Sequence, residues 1–174
     1  MKRVLRPLAV LTLGFTMVAC ENETPASPTS AASETFTATL SPASEVPPIA
    51  NNEAGASGAA TITFNLTKDN LGYIASASID VTVNVTGFPN GTTLTGAHIH
   101  PGAPGANGGV FVSLGLSVGD VTFPSGSGSF TRAGIAVSVD QANAILANPS
   151  AFYFNIHTAR NPDGVARGQL TPVQ

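Results

Sequence analysis

Three histidines are the whole imidazole supply of this 174-residue chain. They fall in two short strand-like segments, Gly96-Ala97-His98-Ile99-His100-Pro101 and Phe154-Asn155-Ile156-His157-Thr158. Residues i and i+2 of a strand face the same way, roughly 6–7 Å apart. His98 and His100 are therefore expected to aim at one point while Ile99 turns away. In the second segment Phe152, Phe154 and Ile156 alternate with Tyr153, Asn155 and His157, which sets His157 opposite the apolar row. Strands lying side by side would bring three imidazoles together, as a metal site or as a hydrogen-bonded polar seam. Imidazole binds zinc and copper well, and a His-x-His pair offers two nitrogens to one ion. In the seam, the rings bond to backbone, Asn155, Thr158 or Tyr153, because buried polar groups ordinarily find partners within the protein.

Other polar residues are candidates for support. Glu45, ahead of Val46-Pro47-Pro48, is a candidate to reach the histidines. Arg160, Asp163 and Arg167 flank an expected closing hairpin. Arg167 reads either as an anchor for a carboxylate or partner surface, or as part of a turn-stabilising ion pair or of backbone carbonyl contacts; the second is favoured. The candidate supporting set is thus Asn155, Thr158, Arg167 and Glu45. The Gly/Pro stretch from Pro101 to Gly109 sits beside the His pair as a loop that could cover a ligand. It lacks the Gly-Lys-Ser/Thr ending and following helix of a phosphate loop. No serine stands in a Gly-x-Ser-x-Gly elbow, and the acids are few and scattered, so nucleophilic and glycosidic chemistry have no support. The reading is a binding or surface-structural module without catalysis; the alternative is a copper- or zinc-binding protein using His98, His100 and His157, with metal-dependent redox activity as the one enzymatic reading that has support.

Strand signals dominate the elements that must position these side chains. Ala60, Ile62, Phe64 and Leu66 alternate with polar residues, as do Ile79, Val81, Val83 and Val85, the period of half-buried strands. Lys68-Asp69-Asn70 and Pro89-Asn90-Gly91 read as turns. Further strands are predicted near Val110–Leu114, Val121–Phe123, Ser129–Arg132, Ala151–Thr158 and Val165–Leu170. One short helix is predicted from Asp140 as cap to about Ala147, stopped by Asn148-Pro149. Asn161-Pro162-Asp163-Gly164 is a strong turn sequence that folds the His157 strand back on the last one. The expected fold is all-β: a Greek-key-like sandwich or partly open barrel of about eight or nine strands with one short helix.

The start of the chain reads as an address. Lys2, Arg3 and Arg6 precede an apolar run from Leu8 to Ala19, too short to span a bilayer comfortably. The run ends Met17-Val18-Ala19-Cys20, which resembles a bacterial lipobox with Met in place of the usual Leu. Cys20 is then the lipidated residue, and as the single cysteine it excludes an intrachain disulfide. Glu21 follows where an Asp would resemble an inner-membrane retention signal, so the expected location is exported and lipid-anchored, at the outer membrane or cell surface. Residues 21–35 carry almost no large apolar side chain and are expected to form a disordered tether. Residues 36–174 make one domain, large enough to bury a core.

Without Lys2, Arg3 and Arg6, four basic residues (Lys68, Arg132, Arg160, Arg167) stand against ten acidic ones, a charge of about −6. No basic cluster exists to neutralise phosphates, so nucleic acid is not an expected partner. The expected partners are the membrane, through the anchor, and an unidentified extracellular or periplasmic ligand.

Two of these stretches carry a family resemblance. Gly96-Ala97-His98-Ile99-His100-Pro101-Gly102-Ala103-Pro104-Gly105-Ala106-Asn107-Gly108 resembles the first signature of the chordin (CHRD) domain. His157-Thr158-Ala159-Arg160-Asn161-Pro162-Asp163-Gly164-Val165-Ala166-Arg167-Gly168-Gln169-Leu170 resembles its closing signature. Phe36-Thr37-Ala38-Thr39-Leu40 and Glu45-Val46-Pro47-Pro48 are similar to the way such domains open, so the resemblance runs from about Phe36 to the end. It implies much about fold and little about chemistry. Chordin's own partners, the bone morphogenetic proteins, do not transfer to a chain with a bacterial lipobox. The histidine arrangement also resembles the copper site of copper-zinc superoxide dismutase, another Greek-key sandwich. That enzyme's two-metal site needs more histidines than three, so a complete dismutase site is excluded.

Overall fold

Two stacked antiparallel sheets form the domain in a computed structural model that describes residues 30–173. The strands are β1 (Ser30–Leu40), β2 (Ser57–Lys68), β3 (Ile74–Thr86), β4 (Thr92–Pro101), β5 (Val112–Ser113), β6 (Thr122–Phe123), β7 (Gly128–Val137), β8 (Phe152–Thr158), β9 (Ala166–Gln169) and β10 (Thr171–Pro172), and helix α1 is Val139–Ala147. The first sheet runs β10-β1-β2-β3-β7. The second runs β5-β4-β8-β9, with β6 paired to the start of β4. The sheets do not close into a barrel; the sandwich form of the expectation is the one adopted. The signal segment, Cys20 and the tether as far as Thr29 lie outside the described residues.

Alternation builds the core as expected. Ala60, Ile62, Phe64 and Leu66 of β2 and Ile79, Val81, Val83 and Val85 of β3 face Leu94, Ala97, Ile99, Phe154 and Ile156 of the second sheet, all buried. Phe36 packs edge-on against Phe64 at 5.7 Å. Burying each such side chain contributes roughly 1.5–3 kcal/mol. The opposite face of the first sheet is exposed. On it Thr171, Thr37, Thr61, Thr82 and Thr131 stand in one cross-strand file, a pairing that suits β-branched hydroxyl residues.

Several boundaries differ from the sequence reading. The tether was expected to reach residue 35, yet Ser30–Thr35 already belongs to β1, paired residue for residue with Lys68–Thr63. Backbone hydrogen bonds to β2 hold this polar extension, so it needs few apolar side chains. The helix is capped by Ser138, not Asp140. Ser138 Oγ accepts from Gln141 N at 3.1 Å and Ser138 N donates to Gln141 Oε1 at 2.9 Å, a reciprocal box. The Val110–Leu114 strand shrinks to Val112–Ser113.

One irregularity positions the site. The pairing of β4 with β8 shifts between Leu94 and Gly96. Leu94 points into the core before the shift, and Ala97 and Ile99 do so after it. This extra residue flips the parity of the strand and turns Gly96, His98 and His100 to the outer face.

Candidate functional site

The outer face of the second sheet carries a polar patch in register. Gly96 of β4 stands opposite His157 of β8, His98 opposite Asn155, and His100 opposite Tyr153. One strand further on, Asn155 faces Arg167 and Tyr153 faces Gln169 of β9. Three loops cover the patch, which is why every residue of β8 is buried although only alternate ones reach the core. Val46 and Pro47 come from the first loop, Asn107 to Val110 from the Gly/Pro loop, and Pro162 and Asp163 from the closing turn. Together with the histidines they line a cleft of about 620 Å³.

The sequence expectation that three imidazoles converge is met: one nitrogen of each of His98, His100 and His157 lies within 4.8 Å of the others. Two rings are oriented from behind by backbone carbonyls. His100 Nδ1 donates to Gly108 O at 2.9 Å and His157 Nδ1 donates to Pro162 O at 2.8 Å. In a neutral ring this leaves Nε2 as the lone pair. His157 Nε2 accepts from His98 Nδ1 at 2.9 Å. His100 Nε2 is buried and meets no hydrogen-bond partner. Gly96 is required beneath them, since a Cβ there would lie 2.8 Å from His98 Cε1.

Electrostatics keep His98 and His157 neutral. Burial, then the neighbouring His157 and His100, push His98 down to about 4. Burial also lowers His157, opposed by the Pro162 carbonyl and Asp163. Neutral imidazoles are the ligand form.

The supporting candidates divide. Asn155 is in the site, its Oδ1 2.9 Å from His157 Nε2. Thr158 is not: its hydroxyl donates to Glu53 Oε2 at 2.7 Å. Glu53 also accepts from Asn161 Nδ2, and Asn51 Nδ2 donates to Asn161 Oδ1 at 2.8 Å. This buried clasp fastens the loop after β1 to the closing turn, and nothing in the spacing of Asn51 and Glu53 announces it. Glu45 does not join the histidines either. Its Oε2 lies 3.6 Å from Arg167 Nε, because the chain leaving β1 pairs Ser41 with Arg167 and carries Glu45 over β9. Burial outweighs the nearby guanidinium and pushes Glu45 up to about 7.

Arg167, 2% exposed, pins two of the three loops. Its Nε donates to Ser44 O at 2.6 Å, and Nη1 donates to Ala106 O and Asn107 Oδ1, both at 3.0 Å. The guanidinium lies 4.5 Å from the centre of the Tyr153 ring, and that ring stacks on His100. Carbonyl contacts prevail, as favoured from sequence, although the residue is interior and not a surface brace. Tyr153 completes the circuit as acceptor for Gly108 N at 3.3 Å.

Both signature segments therefore build one patch: the first supplies His98, His100 and the Gly/Pro loop, the second His157, the turn and Arg167. A model of the CHRD domain matches residues 36–170. The chain belongs to the CHRD family. No curated protein and no solved structure matches it. In this CHRD domain the outer face of the second sheet is thus a covered polar site, and the outer face of the first is bare.

Proposed function

We propose that this CHRD protein is an exported, lipid-anchored binding module whose His98, His100 and His157 hold one copper or zinc ion, and that it acts by binding and not by catalysis. The observation that carries the metal reading is His100 Nε2, a buried lone pair without a partner while the other nitrogen of the ring is tied to Gly108 O. An unpaired buried polar atom costs about 1–3 kcal/mol, and an ion would satisfy it. His100 and His157 also share the pattern of metal-ligating histidines, whose second nitrogen donates to a carbonyl. The anchoring part of the proposal rests on the Lys2–Cys20 sequence pattern.

The test is titration of chelator-free protein with Cu²⁺ and Zn²⁺ by calorimetry, with elemental analysis of protein from its native compartment. One ion per domain is expected, with a melting temperature that rises with ion concentration, since a ligand of the native state alone stabilises it. A second reading is a closed hydrogen-bonded framework, favoured by the 2.9 Å contact between His98 Nδ1 and His157 Nε2. It predicts no ion bound at micromolar concentration and small, independent effects of the three histidine substitutions.

A further inference from the structure

We propose that Asn155 Oδ1 is a fourth donor to the ion, making a set of three nitrogens and one oxygen that selects the divalent state. The inference rests on the metal reading above. Asn155 stands opposite His98 and two residues before His157 on the same face, so both rings flank it.

Lone-pair chemistry carries the argument. With its Nδ1 proton given to Pro162 O, neutral His157 presents only a lone pair at Nε2. Asn155 Oδ1, 2.9 Å away, also presents only lone pairs. Two acceptors at that distance repel unless a positive centre lies against both. The other end of the amide, Nδ2, lies away from the histidine, against Gly164. Asn155 Nδ2 and Glu45 Oε1 converge over Gly164, where a Cβ would lie 2.6 Å from the nitrogen and 2.7 Å from the oxygen. Glu45 Oε1 takes no hydrogen bond there; with Nδ2 over Gly164, it is Oδ1 that faces the histidine. His98, which bonds no backbone carbonyl among the described contacts, is free to exchange its proton between ring nitrogens and to join as third imidazole.

An amide oxygen is a hard donor that suits Cu²⁺ or Zn²⁺ and contributes little to soft Cu⁺. Its removal should therefore act on one oxidation state. Wild type, Asn155→Ala and Asn155→Asp are titrated with Cu²⁺ and, anaerobically, with Cu⁺ against a competing chelator, and electron paramagnetic resonance is recorded on the Cu²⁺ forms. Asn155→Ala is expected to weaken Cu²⁺ by about tenfold or more with less than about threefold change for Cu⁺. A tenfold difference raises the potential by about 59 mV. The resonance spectrum should change with the lost oxygen. Asn155→Asp keeps an oxygen and adds charge, so it should bind Cu²⁺ at least as tightly as wild type. Should the alanine variant not fold, an aspartate variant that binds Cu²⁺ more weakly than wild type overturns the proposal. Equal affinities and spectra for wild type and Asn155→Ala also overturn it, leaving the three-histidine site intact. Absence of Cu²⁺ and Zn²⁺ binding by wild type would instead remove the metal reading itself.

Discussion

Tyr153 and His100 stand directly opposite each other on β8 and β4, with ring centres 5.1 Å apart and planes within 6° of parallel. The stack sets the tilt of His100, and the Tyr153 hydroxyl fastens the loop whose Gly108 carbonyl receives His100 Nδ1. Tyr153→Phe should keep the stack and cost up to about 1 kcal/mol for the lost hydrogen bond. Tyr153→Ala should cost about 3 kcal/mol or more for a buried ring. Urea unfolding of both variants checks this; equal costs would mean that the stack has no part in the fold.

Arg167 and Glu45 should respond unequally to removal. Arg167→Ala removes the donors to Ser44 O, Ala106 O and Asn107 Oδ1, and each buried acceptor left unmet costs about 1–3 kcal/mol. Arg167→Lys should rescue little, because an ammonium cannot donate along the directions used by Nε and Nη1. Glu45→Gln should cost under about 1.5 kcal/mol, since Glu45, pushed up to about 7, already carries its proton about half the time near neutrality. Thermal melts of the three proteins give the order.

Two groups should oppose each other in the acid range. His98 titrates near 6.5 unfolded and about 4 folded, so its contribution is present above 6.5 and lost as pH falls toward 4. Glu45 titrates near 4.5 unfolded and about 7 folded, so its contribution is present below 4.5 and lost as pH rises through 7. Between about 4.5 and 6.5 the two slopes have opposite sign, and the lowered His157 adds to the His98 side, so wild-type stability should fall more gently with acidification than that of a variant lacking Glu45. Glu45→Gln removes one slope, leaving stability that falls steadily with acidification. A flat profile in that variant would contradict the assignment of His98.

Gly96→Ala places a methyl 2.8 Å from His98 Cε1. The strand tolerates alanine, so secondary structure should persist in circular dichroism while His98 is displaced. Cu²⁺ affinity should fall about tenfold or more, the scale seen when orienting contacts are lost. Unchanged affinity would show that His98 is not a ligand.

Cys20→Ser should release the protein from the membrane fraction, because a thioether requires the thiol. Cell fractionation with labelled fatty acid reads this directly; unaltered partitioning would sink the lipid anchor.

Much of this arrangement was legible from period two alone. The alternations in β2 and β3 gave the core of one sheet, and the two histidine segments pair as their spacing suggested. The turn at Asn161–Gly164 lies where Pro and Gly demanded it. What was illegible depends on contacts distant along the chain. Glu45 is drawn to Arg167 by a strand crossing that no local pattern encodes. Asn51 and Glu53 meet Asn161 more than a hundred residues away. Ser30–Thr35 reads as a tether because its partner, β2, holds it chiefly by backbone pairing, with Thr35 and Thr63 in side-chain contact.

The strand pairings also differ in how far the chain must travel to make them. β1, β2 and β3 follow one another and pair as neighbours, across residues 41–56 and then across the turn at 69–73. The β4–β8 pairing instead joins His98 to His157 across 59 residues. Long closures cost more chain entropy and come later in folding. The histidines should therefore meet after β1, β2 and β3 have paired. Substitutions at the site should then quicken unfolding and leave the folding rate nearly untouched, and an ion held there would act as a latch on the native state.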